Sequence, residues 1–293
     1  MKILYRKRKI FKTKILLRKK RKMRYDFIVL GGTGMQGKIA TKDLLNNGYS
    51  VMICGRDPSR IKGLLRHPKT HFTPVDMADV RSITSAIKTS QASVVVNCAE
   101  LTYNINAMQA CLEAEVHCLD LGGLHYTTLE QFKLDKKFKE KNLIAITGCG
   151  STPGITNVMT SYASQFFDSI HDINIGFAWD SNIKKFYPPY SIKSITTEFM
   201  QKPVVLHNGE LRQKPPFSCY NEYDRHLIGR QKSWCIVHSE VFTFWKYFKH
   251  RGLKNVHFIA GFPDYSLKTL FTIMDLGFTS SKPITLKEVK LTP

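Results

Sequence analysis

Short apolar runs alternate with longer amphipathic stretches along the first half of this chain. The runs at 25–30, 50–54, 93–98, 116–121 and 143–147 are rich in Val, Ile, Leu and Cys, as strands covered on both faces require. The stretches between them, at 35–47, 58–66, 80–88, 105–114 and 128–141, carry helical periodicity. Pro58 opens one of these helices and Asp79 stands at the N-cap of another. A weaker run at 71–74 completes the set as a short third strand. Strands alternating with helices at this spacing pair in parallel through right-handed crossovers, which gives a doubly wound α/β sheet.

The texture changes after Gly154. A helix is expected over 155–167, then strand-like segments at 173–179, 192–197 and 204–206, and a further strand at 255–260. Polar joints and the pairs Pro188-Pro189 and Pro215-Pro216 separate them, and a helix at 265–276 follows. This pattern predicts a second, α+β domain with a mainly antiparallel sheet. The expected division is a basic extension at 1–24, a Rossmann domain at 25–152 and a substrate domain at 153–293.

The first strand runs directly into Gly31-Gly32-Thr33-Gly34-Met35-Gln36-Gly37. Gly32, Gly34 and Gly37 have the G-x-G-x-x-G spacing between a strand and a helix. In such a unit the pyrophosphate of a dinucleotide rests on the helix N-terminus, where amide donors lack partners. The turn Gly32, Thr33, Gly34, Met35 and Gly37 is therefore the expected cofactor cradle. Cofactor ribose is read at the end of the second strand, which here continues Arg56-Asp57-Pro58-Ser59-Arg60. The first charged group is a guanidinium, whose fork suits a 2′-phosphate, so Arg56, Ser59 and Arg60 favour NADP. Asp57 keeps NAD as the alternative.

Composition is that of an ordinary globular protein, 43% hydrophobic and 11% aromatic. No apolar stretch approaches the roughly 20 residues of a membrane-spanning helix. The net charge of +21 invites a nucleic-acid reading until it is divided: residues 1–24 hold thirteen Lys or Arg and no acid, leaving +8 for the rest. Nucleic-acid binding is thereby confined to an arm at 1–22, which reads equally as a disordered block or as sequence upstream of a start at Met23. The seven cysteines form no C-x-x-C pair, so no metal site or disulfide framework is expected, and a reducing cytoplasm is the simplest location.

Other candidates lie where the strands end. Asp76 follows the third strand, within reach of the adenine. Asn97 and Ala99 end the 93–98 strand, where a doubly wound sheet presents its crevice, although a strand-end Asn also closes turns. Asp120 ends the next strand, either to orient an amine and relay a proton or to cap the following segment. His125, five residues on, reads as a loop histidine able to titrate near neutrality. Gly148-Cys149-Gly150-Ser151-Thr152-Pro153-Gly154-Ile155 joins the last strand to a helix. Ser151, Pro153, Gly154 and Ile155 there suit a substrate carboxylate held by fresh helix amides, or an interdomain hinge.

Taken in order, Gly-Gly-Thr-Gly-Met-Gln-Gly, Val-Val-Asn-Cys-Ala, Leu-Asp-Leu-Gly-Gly and Gly-Ser-Thr-Pro-Gly-Ile make the chain resemble the saccharopine dehydrogenase/reductase family. Lysine 6-dehydrogenase and carboxynorspermidine synthase are among that family's members. The likeness runs from about Tyr25 to the C-terminus and takes in His238-Ser239-Glu240 and Lys254-Asn255-Val256. It implies a Rossmann domain, an α+β substrate domain, a homodimer, and NAD(P)-linked chemistry at an amine-bearing carbon of an amino acid or its conjugate. The Pro153-Gly154-Ile155 turn then borders the substrate cleft, and Tyr103 resembles the family's cleft tyrosine. Asp120, Tyr103 and His125 become the candidates for handling protons. Two departures stand out: Thr152 occupies the place where the family often has Asp, and members commonly continue past the point of Pro293. A shortened form is therefore expected, with a non-catalytic nucleotide-binding module as the alternative. A short-chain reductase is disfavoured, because no tyrosine after residue 24 has Lys four positions later.

Overall fold

A computed structural model describes residues 24–180, 183, 185–188, 190–280 and 282–291. The basic extension expected at 1–24 lies outside the described residues, Arg24 excepted.

Six strands build the first sheet: β1 (Phe27–Leu30), β2 (Val51–Gly55), β3 (Thr70–Pro74), β4 (Val94–Asn97), β5 (His117–Asp120) and β6 (Ala145–Ile146). Their order is β3-β2-β1-β4-β5-β6, and every pairing is parallel. The alternation of side chains along each strand supplies two cores. Ile28, Leu30, Met52 and Cys54 face α2 (Val80–Ser90) and α3 (Asn104–Ala114), where Ile83, Ile87, Met108 and Cys111 are buried. Val29, Val51 and Ile53 point the other way, onto Leu45 of α1 (Met35–Asn46) and Ile61. Covered faces on both sides explain why these strands read as solid apolar runs. Each fully buried Ile or Leu contributes about 1.5–3 kcal/mol over the exposed state. Asp79 caps α2 as expected, its carboxylate accepting from Arg81 N.

Two helices of the first half differ from expectation. The stretch at 58–66 is two 3₁₀ turns, Pro58–Ile61 and Leu64–Arg66, with Lys62 and Gly63 between them. The helix expected at 128–141 is two, α4 (His125–Phe132) and α5 (Asp135–Glu140), and the first begins three residues earlier.

After α6 (Ile155–Ala163) the second sheet forms from β7 (Asp172–Ala178), β8 (Val204–His207), β9 (Glu210–Gln213), β10 (Tyr220–Arg225), β11 (Gly229–Cys235) and β12 (Asn255–Gly261). The order is β10-β11-β12-β8-β9, all antiparallel, and β7 joins β12 in parallel. The mainly antiparallel sheet expected here is present. One face packs on α7 (Ile192–Met200), α8 (Glu240–Phe248) and α9 (Asp264–Asp275), through Ile195, Phe199, Val241, Phe244, Leu267 and Leu270.

The expectation of a strand at 192–197 is overturned. Its β-branched residues suggested an extended segment, but Ile192, Ile195 and Phe199 recur at helical spacing, and burying Ile195 and Phe199 in the core decides the local structure. A two-stranded hairpin, β13 (Ile284–Leu286) and β14 (Val289–Leu291), follows α9.

Candidate functional site

The sheet order reverses direction between β1 and β4, which opens a crevice at the carboxyl ends of these strands. The glycine turn sits there. A Cβ on Gly37 would stand 2.3 Å from Gly31 O and 2.6 Å from Gly32 Cα, so only glycine lets α1 approach the turn. Gly31 lies outside the G-x-G-x-x-G spacing yet is equally constrained. It has φ +69°, and a Cβ would meet Ala99 N at 2.6 Å. Gly34 differs: its Cβ would touch only Gly31 O, at 3.2 Å, so the space before α1 is open. No side chain caps the helix at Gly34. The first-turn amides therefore face an open cradle, and the residues present fit a pyrophosphate.

Thr33 is buried and packs against Gly55, whose Cβ would meet Thr33 Oγ1 at 2.5 Å. This contact joins the cradle to the end of β2. Arg56, Ser59 and Arg60 follow, all exposed. Asp57 accepts from Ser59 N at 2.9 Å through Oδ1 and caps the first 3₁₀ turn. Met35 lies exposed at the start of α1. Asp76 is exposed after β3 and accepts from Ala78 N.

Asn97 is turned inward. Its Nδ2 donates to Asn104 Oδ1 at 2.9 Å, its Oδ1 accepts from Ala99 N, and Asn104 Nδ2 donates to Gly122 O. Of the two readings of Asn97, the geometry matches turn closure. Asp120 is also buried and held by three donors. Its Oδ1 accepts from Gly122 N at 2.7 Å and Gly148 N at 3.0 Å, and its Oδ2 accepts from Gln131 Nε2 at 2.5 Å. Burial pushes its carboxyl above the usual range, against the pull of those three donors. Asp120 thus ties the β5 turn to the β6 turn. Asp120→Asn turns an NH₂ toward one of these donors and should destabilise the protein by roughly 1–3 kcal/mol in urea unfolding.

The expectations for His125 require correction. It is the first residue of α4, not a loop residue, and only 4% of it is exposed. Burial lowers it to about 4, so it stays neutral where it was expected to titrate. Its ring meets Phe242 of α8 edge-on, and its Nδ1 has no partner among the described residues. Tyr103 is half-buried and closes a 3₁₀ turn, with its amide donating to Glu100 O.

The segment at 148–155 also uses its own donors. Gly150 N donates to Pro153 O, Ile155 N to Gly150 O and Thr156 N to Ser151 O. The expected supply of free helix amides for a carboxylate is corrected accordingly, since Ile155 and Thr156 spend theirs inside the turn. Asn157 Oδ1 accepts from Gly154 N, and its Nδ2 donates to Thr243 Oγ1. Thr156 Oγ1 donates to Glu240 Oε1, while His238 Nδ1 pairs with Glu240 Oε2. The turn is thereby fastened to the start of α8.

Beside the crevice, a cleft of about 160 Å³ opens between the two domains. Glu100, Thr102 and Thr127 line it from the first domain, and Lys193, Thr197 and Gln201 from α7 and its end. Tyr126 spans the junction, donating to Lys202 O and accepting from Gln213 Nε2. A larger depression of about 390 Å³ lies on the outer surface of α2 and α3 and touches none of the strand ends. Glu100, Lys193 and Gln201 were absent from the sequence-based candidates. The polar positions 193, 197 and 201, one turn apart, would have marked a cleft-facing stripe had the segment been read as a helix.

Comparison with known proteins agrees with this geometry. Residues 27–146 match the saccharopine dehydrogenase NADP-binding domain, which supports NADP over NAD. The chain is 25% identical to carboxyaminopropylagmatine dehydrogenase from Synechocystis, over 91% of this chain and 69% of that protein. It is 28% identical to carboxynorspermidine synthase from Vibrio alginolyticus, over 75% of this chain and 55% of that protein. Apo saccharopine dehydrogenase (L-Glu forming) from Saccharomyces cerevisiae shares the fold, with a TM-score of 0.65 at 12% identity, over 89% of this chain and 61% of that one. The chain therefore spans between about half and two thirds of the length of these relatives.

Proposed function

We propose that this chain, a relative of the saccharopine dehydrogenase family in its nucleotide-binding domain and its fold, carries an NADP-dependent oxidoreductase activity. Its substrate is an amino acid or carboxylated polyamine with a reacting carbon bonded to nitrogen. The observation that carries the reading is the open glycine cradle at the switch point, next to an interdomain cleft lined by charged groups. The names of the two relatives, a dehydrogenase of carboxyaminopropylagmatine and a synthase of carboxynorspermidine, point to the same substrate chemistry.

When bound, the nicotinamide would supply the hydride chemistry, and the protein contributes alignment and charge. The first-turn amides of α1 hold the pyrophosphate, and Arg56, with Ser59 and Arg60, takes the 2′-phosphate. Asp120 holds the β5 and β6 turns in register through Gly122 and Gly148. Tyr103 is left to exchange a proton, because Asp120 is held by three protein donors and His125 is buried against Phe242. These last two facts also favour a second reading, a nucleotide-binding module without turnover.

Two measurements separate the readings. NADPH binding followed by fluorescence should weaken about tenfold in Arg56→Ala, with NADH binding unchanged, since a charge-assisted phosphate contact is worth about 1.4 kcal/mol or more. Absorbance at 340 nm should change when amines and carbonyl partners, including lysine and carboxylated diamines, are supplied with the cofactor. Tight NADPH binding with a silent panel would leave the non-catalytic reading standing.

A further inference from the structure

We propose that Cys219 and Cys235 form an oxidisable pair, which a peroxide closes into a reversible disulfide that fastens the loop at 214–219 to the second sheet.

The β10–β11 ladder is in register from Tyr220 opposite Trp234 to Arg225 opposite Gly229. One step further, Cys219 stands opposite Cys235, and Cys235 N donates to Cys219 O at 3.0 Å. Opposed residues sharing a ladder hydrogen bond have Cα atoms about 5.5 Å apart, inside the range of about 4.4–6.8 Å that a disulfide spans. Directly opposed side chains also leave the sheet on one face. Here it is the face turned away from the helices, since Trp234 of the neighbouring pair meets Phe271 of α9 on the other. The two side chains are in contact. Burial raises the Cys235 thiol and its hydrogen bond with the Cys219 side chain adds to the rise, while the charge of Lys214 pulls the other way.

Access separates this pair from the other touching thiols. Cys219 is half-buried and open to a small oxidant, with the buried Cys235 behind it. Cys111 and Cys118 also touch, but both are sealed in the core of the first domain.

The bond would close on a strained segment. Phe217 has φ +62°, a left-handed conformation that is costly for a residue other than glycine. Packing keeps it there: its ring stacks on Phe199 of α7 with centroids 6.0 Å apart and meets Phe271 edge-on at 5.5 Å. Phe199 belongs to the helix whose Lys193 and Thr197 line the cleft. A disulfide two residues beyond Phe217 removes the loop's freedom to leave that packing.

The chemistry balances with one peroxide. The Cys219 thiolate attacks a peroxide oxygen and the O–O bond breaks, leaving a sulfenic acid. The released hydroxide regains the proton that Cys219 gave up and departs as water. The Cys235 sulfur then attacks the Cys219 sulfur and the S–O bond breaks. The second hydroxide takes the Cys235 proton, so two thiols and one peroxide become one disulfide and two waters.

The test treats the full chain with hydrogen peroxide, alkylates the remaining thiols in denaturant and maps the cysteines by mass spectrometry. Cys219 and Cys235 should escape alkylation together, in a linked peptide pair two hydrogen atoms lighter than its parts, and dithiothreitol should restore both. Amide exchange at 214–219 should slow several-fold in the oxidised protein. Cys219→Ser should leave Cys235 open to alkylation and the exchange unaltered by peroxide. Cys149→Ser, which removes the exposed thiol, should keep both effects. Circular dichroism confirms that each variant folds. The proposal is overturned if Cys219 and Cys235 stay unlinked, or if either joins another cysteine or a second chain instead. A linked protein that exchanges at 214–219 as the reduced one does would also overturn it.

Discussion

Gly37→Ala should lower NADP affinity by about a hundredfold, close to 2.7 kcal/mol, and cost stability as well. The added methyl would sit 2.3 Å from Gly31 O and 2.6 Å from Gly32 Cα. Both are backbone atoms, so no rotamer change relieves the contact. Either α1 moves away from β1 or the turn opens. Each response withdraws the first-turn amides from the pyrophosphate they face, and forced repacking of this kind costs roughly 1–3 kcal/mol. Gly63→Ala is the matching control, because a Cβ there meets nothing within 4 Å and the backbone is right-handed helical. Fluorescence titration and urea unfolding of both variants measure the two effects. A Gly37→Ala protein that binds NADP as the wild type does would remove the cradle from this turn.

Elements fixed by local rules were legible in the sequence. The strand-glycine-helix unit announces itself because three constraints coincide within eleven residues: a buried strand, a tight turn and a close helix approach. Asp79 at its N-cap is equally local. What escaped depends on partners distant in sequence. Ile192–Met200 is a helix because Ile195 and Phe199 fill a core whose other members come from residues as far along as Leu270. His125 is neutral because Phe242, 117 positions away, covers it. The cleft pair Glu100–Lys193 joins two domains, and neither residue carries a motif. The two readings left open at Asn97 and at Asp120 have the same origin. Their hydrogen-bond partners, Asn104 for one and Gln131 and Gly148 for the other, enter only with the tertiary fold.

Glu198→Gln should gain stability relative to the wild type as the pH rises from 4.5 to above 7, by roughly 3 kcal/mol across that window. Glu198 is 6% exposed on the inner side of the cleft helix and accepts from Tyr190 Oη at 2.6 Å. Burial pushes its carboxyl up to about 7. The charge of His238 and the Tyr190 hydrogen bond pull the other way, and Glu240 adds to the rise. The folded value lies above that of the unfolded chain, so the contribution is complete below about 4.5 and is lost as the pH climbs through 7. His238 runs in the same direction. Burial lowers it, but Glu240 and Glu198 bring the net shift above 6.5, so its contribution also disappears as the pH rises through its folded value. His125 and His257 run in the opposite direction, since both are depressed and their contribution is lost as the pH falls below 6.5. Wild-type stability alone would therefore blur the effect. The difference between variant and wild type cancels His125 and His257 and reads Glu198 together with the part of the His238 shift that Glu198 causes, both of which run in the same direction, because glutamine keeps an acceptor for Tyr190 and cannot ionise. Melting temperatures at pH 5, 6, 7 and 8 should show the variant pulling ahead by several degrees at the alkaline end. A flat difference across that range would mean that Glu198 is already charged in the folded protein, held by His238. The placement makes this more than a question of stability, since Thr197 and Gln201 line the cleft from α7 and its end while Glu198 anchors the helix from behind.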